Sequence, residues 1–290
     1  MKKRIVSTEI GSIAPKIGEE KAIELVAKAG FDAFDMSMFK NVINYAWQTK
    51  TVTPANHPLA TTEYLKFARK LKQVAKDNGI FCNQSHAPYP TVLSGIRDQL
   101  KRCIEITAEV GGKICVIHPQ EQKTLEENAK MYGELLPFAK SHGVKIATEN
   151  MWDWDREKDQ AYRVACSDHE SFLEYIKELN DDYFVACLDI GHAEMRGLDT
   201  SAVKMIKTLG NHLQALHIHD NDKHYDSHGL PMTMSIEFDP IIRALKEIGY
   251  KGDFTLECSH YLSGQEDVEG ALKKAYDAVR ELADKFDALN

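Results

Sequence analysis

LQALHIHDNDKHYDSHG, residues 213–229, begins in the manner of a buried strand and ends with a density of polar groups that a solvated loop does not need. From Leu216 to Gly229, fourteen residues hold four histidines and three aspartates. Side chains alternate along a strand, so Leu216 and Ile218 share one face and His217 and His219 the other. A parallel strand buried on both faces reads as apolar almost throughout. A strand that turns polar only at its C-terminal end is therefore leaving a packed interior for a functional rim.

The same pattern recurs along the chain. Strand-type runs occur at RIVSTEIG (4–11), AFDMSM (33–38), GIFCNQSHA (79–87), KICVIHP (113–119), KIATEN (145–150), FVACLDIGH (184–192), LQALHIHD (213–220) and DFTLECS (253–259). Amphipathic helical stretches such as EEKAIELVAKAG and DPIIRALKEIGYKG lie between them, several closed by the glycine expected just past a helix C-terminus. Eight βα units without a Pro-, Gly- or Ser-rich linker predict one (β/α)8 TIM barrel over 1–290, with its active site at the C-terminal ends of the strands. A doubly wound sheet is the alternative architecture. Six strands end in polar residues: Ser85-His86, His118-Pro119, Glu149-Asn150, Asp189 to His192, His217 to Asp220, and Glu257. The longest irregular pieces, Lys40 to Pro58, Trp152 to Ala165 and Asn221 to Ser235, each follow a strand, where barrel enzymes carry functional loops.

Composition narrows the function. A net charge of -8, with no basic cluster beyond Lys2-Lys3-Arg4, argues against a nucleic-acid surface. No apolar stretch approaches membrane-spanning length and no signal-type segment opens the chain, so a cytoplasmic protein with no membrane partner is expected. Six cysteines, scattered singly, read as reduced core residues, not as a zinc ribbon or disulfide framework.

Taken singly, a strand-end histidine is an ordinary hydrogen-bonded cap and a buried glutamate an ordinary ion-pair partner. Together, carboxylates from Glu149, Asp189 and Glu257 cannot all stay ionised in a partly dry cavity unless a cation offsets their repulsion. Imidazole with carboxylate suits Zn2+ or Mn2+, with Co2+, Fe2+ and Mg2+ as alternatives.

The motifs SHAPYP, VIHPQ, TEN, LDIGHAEM, HIHDND with DSHGLP, and LEC resemble those of the xylose isomerase-like TIM barrels, which include sugar isomerases and epimerases and the endonuclease IV type of apurinic-site nucleases. The resemblance covers essentially the whole chain. In the epimerase branch it implies a divalent ion held by Glu149, Asp189, His217 and Glu257, with His192 contacting substrate. Where that branch tends to carry a further Glu and Arg, this chain has Asp155 and Lys223. In the endonuclease branch it implies up to three ions, with additional ligands matching His86, His118, His192, Asp226 and His228. The strand-seven motif differs from the endonuclease pattern, which runs Asn-Asp-Ser/Ala-Lys, in having His219-Asp220-Asn221-Asp222.

These readings predict a divalent-metal-dependent isomerase or epimerase of a sugar or sugar derivative, acting through a metal-stabilised enediolate. Glu149 and Glu257 would exchange the proton, His192, Lys223 and Asp155 would steady the substrate, and Trp152 would cover it. The alternatives are a metal-dependent phosphoesterase or apurinic-site endonuclease, and a metal-retaining homologue without catalysis. The expected partner is a small carbohydrate, within a monomer or a homo-oligomer.

Overall fold

A computed structural model describes residues 3–289 except 47 and 50, so Lys2 of the basic opening lies outside the described residues. The parallel strands are β1 (Val6–Glu9), β2 (Ala33–Ser37), β3 (Phe81–His86), β4 (Ile114–Val116), β5 (Lys145–Glu149), β6 (Phe184–Asp189), β7 (Leu213–His217) and β8 (Phe254–Leu256). They hydrogen-bond in the order β7-β6-β5-β4-β3-β2-β1-β8, with Val6 opposite Phe254 and Ser7 opposite Ala33. Strands one to seven therefore neighbour one another in sequence order, without the reversal that a doubly wound sheet requires.

Closure depends on the stretch that follows β7. Ile218 donates its N–H to the Thr255 carbonyl at 2.9 Å and accepts from the Glu257 N–H at 3.0 Å, a parallel bridge that seals β7 against β8. The eight-stranded (β/α)8 barrel expected from the alternation of strands and helices is the observed fold.

The covering helices are α1 (Glu19–Ala29), α2 (Tyr64–Asp77), α3 (Ile96–Val110), α4 (Leu125–Ser141), α5 (His169–Leu179), α6 (Ala202–Leu209), α7 (Phe238–Glu247) and α8 (Val268–Ala288). Their starts are specified locally. Thr124 and Glu127 form a reciprocal capping box on α4, and Asp168 and Ser171 do the same on α5. Their buried faces meet the outward side chains of the strands, including Phe34, Ile146, Leu188, Leu216 and Phe254, all 0% exposed. Burial of each such side chain contributes roughly 1.5–3 kcal/mol. The inward set Val116, Ala147, Val185, Cys187 and Ala215 is smaller and fills the barrel axis. Continuing the alternation from Ala147, Cys187 and Ala215 puts Glu149, Asp189 and His217 on the inward face at the C-terminal rim.

Two of the three irregular segments contain antiparallel hairpins, which corrects the expectation of irregular loops. Ile43–Ala46 pairs with Thr51–Pro54, and Asp153–Asp155 pairs with Gln160–Tyr162. Both lie on the rim and have one short, half-exposed strand pair, so they lack the buried alternation by which a strand is recognised in sequence. Among the described residues no helix is long and apolar enough to cross a membrane.

Candidate active site and metal centre

The rim is organised by backbone locks between strand ends. The Asn150 amide donates to the Asp189 carbonyl at 2.9 Å and accepts from the Asp189 N–H at 2.8 Å, tying β5 to β6. Asp189 then caps the short helix Ile190–Ala193, its Oδ1 accepting from the His192 N–H at 2.7 Å. Gly191 in that turn is required by close approach: a Cβ there would overlap the imidazole of His219.

The donor atoms form five overlapping groups among the described residues, and three of them span the rim, two of these sharing Glu149. Glu149 Oε1 lies 3.0 Å from His217 Nδ1, and that same nitrogen is 3.5 Å from Glu257 Oε2. With Asp189 these form a set whose ligand atoms all lie within 4.8 Å of one another. Glu149 Oε2 turns to the second group, 3.2 Å from His118 Nε2 and 3.4 Å from His86 Nε2. The third contains His192, His219, Asp226 and His228, with Asp226 Oδ2 3.2 Å from His192 Nε2 and 3.1 Å from His228 Nε2.

The hydrogen-bond pattern of the histidines tests whether a cation fits. His86, His192 and His228 each direct Nδ1 to a backbone carbonyl, of Ala87, Asn150 and Glu257, at 2.9, 2.9 and 2.7 Å. With the proton donated there, each Nε2 aims a lone pair at a carboxylate that also carries lone pairs. His217 reverses the order: Nδ1 faces the glutamates while Nε2 stands 3.5 Å from Asp35 Oδ2. Backing one ring nitrogen with a carbonyl or carboxylate is how proteins orient a metal-ligating imidazole. Glu149 Oε2 and Asp226 Oδ1 are buried without a hydrogen-bond partner among the described residues. Converging lone pairs and orphaned buried atoms are the deficit that a divalent cation fills.

The titration shifts show the same deficit. Burial pushes the Glu149 carboxyl up, but the His217 and His118 imidazoles outweigh it and hold it well below the usual carboxylate range. Burial opposes charge on His192 and His228, yet Asp189 and Asp226 raise the first well above its ordinary value and Asp226 raises the second to about 10. Without a cation, protons on His192, His217 and His228 offset the acids, and a bound metal ion would take over that role and release them. Cys187, one layer below Asp189, is kept as a neutral thiol because burial pushes it up to about 12.

A pocket of about 210 Å³ over Glu149 is lined by His86, Tyr89, His118, Glu121, Met151, Trp152, His192, Asp226, His228 and Glu257. It adjoins a larger cavity of about 560 Å³ that extends toward the end of β1. Trp152 stands with its ring centroid 6.3 Å from that of His192. Asp155 and Lys223 line neither cavity. Asp155 accepts the N–H groups of Glu157 and Lys158 within its hairpin, and the Lys223 ammonium lies 3.2 Å from Glu194 Oε2.

Residues not singled out by the sequence complete the rim. Glu9 ends β1 and Asp35 lies opposite it within β2, both as buried acids, so the polar rim runs beyond the six strands that display it in sequence. The signal was an acid inside each strand-type run. Glu121 and Tyr89 also face the cavity, from loops whose course no local pattern reveals.

Burial raises Glu9 to about 7, against the pull of its hydrogen bonds to Ser12, and the charges of Glu257 and Asp35 add to the rise. The folded state therefore keeps a proton that the unfolded chain releases above pH 4.5, and stability falls as pH rises from about 4.5 to 7. The full cost is about 3 kcal/mol above pH 7. In the metal-free protein, Glu9→Gln is expected to melt at higher temperature than wild type at about pH 8, with the gap closing toward about pH 5. An equal gap at both pH values would contradict this assignment.

The structure is a closed (β/α)8 barrel whose C-terminal rim gathers imidazoles and carboxylates that could hold a metal ion. The chain belongs to the xylose isomerase-like TIM barrel family, whose family model matches residues 23–282. It is 29% identical over 171 residues to an uncharacterized protein of Methanocaldococcus jannaschii, covering 56% of this chain and 55% of that one. The chain spans about half the length of the curated relatives it matches. Among solved structures it is similar to the IolI protein crystallised with a zinc atom (TM-score 0.73, 18% identity, 98% of this chain and 100% of that one). It is also similar to a D-tagatose 3-epimerase-like protein (TM-score 0.68, 21% identity, 96% and 98% covered).

Proposed function

We propose that this protein is a divalent-metal-dependent isomerase or epimerase acting on a sugar or sugar derivative. The observation that carries the reading is the convergence of Glu149, Asp189, His217 and Glu257, of which Glu149 and Glu257 line a pocket of about 210 Å³. These four residues would hold the ion. When bound, it supplies Lewis-acid stabilisation for negative charge developing on adjacent substrate oxygens.

The chain's own groups do the rest. Glu149, 1% exposed, and Glu257, 21% exposed, both approach His217 Nδ1, and one carboxylate would take a proton from the carbon beside a carbonyl while the other returns one. His192 is held by the Asn150 carbonyl and lines the pocket beside Asp226, where it would steady a substrate hydroxyl. Trp152 covers the mouth and limits water. The fold shared with a zinc-containing protein and with a sugar epimerase-like protein supports this reading. Incubating the metal-loaded protein with a panel of ketoses in deuterated water is expected to place deuterium at carbon and to change configuration. Absence of both across the panel overturns it.

A second reading is favoured by one observation. His86, His118 and Glu149, together with His192, Asp226 and His228, supply enough donors for a multinuclear site, the arrangement suited to in-line displacement at phosphorus. Against it, among the described residues no lysine or arginine lines the inner pocket to hold a phosphodiester backbone. Three tightly bound zinc ions per chain with cleavage of abasic DNA would favour phosphoesterase chemistry. One exchangeable ion with ketose turnover favours isomerisation.

A further inference from the structure

The β1 end of the cavity has an acid that the proposed proton transfer does not use. Glu9 is 4% exposed, with one carboxyl oxygen 2.9 Å from the Ser12 N–H and the other accepting the Ser12 hydroxyl. These contacts fix the carboxyl and leave lone pairs free. Glu9 lines the larger cavity together with Tyr89, Asp226 and Glu257, residues that also line the pocket over Glu149. A ligand that reaches outward from Glu149 past Glu257 therefore meets Glu9.

Charge decides what kind of ligand fits. Carboxylates of Glu9, Glu121, Glu149, Asp226 and Glu257 line the joined cavities, and among the described residues the only lysines there are Lys16 and Lys40. Lys16 donates to the carbonyls of Ser263 and Gln265, and Lys40 is exposed at the outer edge. Aligned carboxylates attract hydroxyl hydrogens and repel a phosphate dianion.

Resting on the isomerase reading above, we propose that Glu9 is a further substrate-binding residue. It accepts a hydroxyl of a neutral polyhydroxy substrate at the β1 side of the cavity and disfavours the phosphate ester of the same sugar.

The test is saturation kinetics of deuterium exchange for wild type, Glu9→Gln and Glu9→Ala at equal metal content. The probes are D-fructose, D-tagatose and D-allulose beside D-fructose 6-phosphate and D-tagatose 6-phosphate. Wild type is expected to turn over a free ketose at least about tenfold more efficiently than its phosphate. Glu9→Ala is expected to raise KM by roughly tenfold with kcat little changed, the signature of lost uniform binding, with Glu9→Gln between the two. Glu9→Gln keeps an acceptor for the Ser12 N–H, and its amide can donate to the Ser12 hydroxyl oxygen, so its KM remains readable if the alanine variant folds poorly. Turnover with KM unaltered in Glu9→Gln and in folded Glu9→Ala overturns the role of Glu9 alone, and a wild-type preference for the phosphate overturns the selectivity. Exchange into none of these sugars removes the isomerase reading and this inference with it.

Discussion

Glu149→Gln is expected to reduce ketose turnover by about a thousandfold or more and to strip most of the bound metal, while the far-ultraviolet circular dichroism stays that of wild type. The reason is that Glu149 stands in two donor groups at once: one oxygen faces His217 and the other faces His118 and His86. An amide keeps the volume but offers one neutral acceptor where two anionic oxygens stood. His217, His118 and His86 then lose the anionic partner they share. Glu257 belongs to fewer contacts and is more exposed, so Glu257→Gln is expected to lose metal less completely while still losing turnover. Metal analysis of the two purified variants beside wild type checks this, and wild-type metal content in Glu149→Gln would refute the ligand assignment.

The largest effect on stability is expected away from the proton-transfer residues, at Asp220. This carboxylate is 0% exposed and accepts four backbone N–H groups. Oδ1 receives those of Asn221 and Ile236 at 2.9 and 3.0 Å, and Oδ2 those of Thr233 and Met234 at 3.0 and 2.9 Å. One side chain therefore satisfies the backbone at both ends of the 221–235 loop, and its own backbone pairs with Gly229 in both directions at 2.9 and 3.0 Å. Asp220→Ala leaves four donors to find water or remain unpaired, a loss of about 3–5 kcal/mol even with partial rehydration. Because Asp226 and His228 are borne on this loop, the group they form with His192 and His219 is expected to disperse as well. Urea denaturation should show the lowered midpoint, and limited proteolysis should cut first within 221–235. A stability within about 0.5 kcal/mol of wild type would show that the loop is held by other contacts.

Asp220 also illustrates where local reading stops. In sequence it is one more polar residue between His219 and Asn221, a candidate for facing substrate. Its function as a loop anchor depends on N–H groups up to sixteen residues away, which no periodicity reports. Asp155 and Lys223 show the converse: their positions suit substrate contact, but the hairpin turn engages one and Glu194 the other. Glu9 and Asp35 lay within strand-type runs as isolated acids, a weak signal because a single acid in a short strand equally marks an exposed edge. The two rim hairpins were hidden for a related reason, since their stability comes from cross-strand pairing and not from a buried face.

By itself the sequence determined the barrel and the direction of its rim. Side-chain alternation and the succession of strands with helices are local properties, and a parallel strand buried on both faces leaves polar residues nowhere to go except its open end. That logic places Glu149, Asp189, His217 and Glu257 among the polar ends of six strands, and the family resemblance is what sets these four apart as one ligand set. Only the tertiary structure decided which nitrogen of each histidine faces the acids, that Glu149 joins two donor groups, and that Glu9 closes the far side of the cavity. Those facts depend on distances between strands that are remote in the chain, and they arise when Ile218 pairs with β8 and completes the ring.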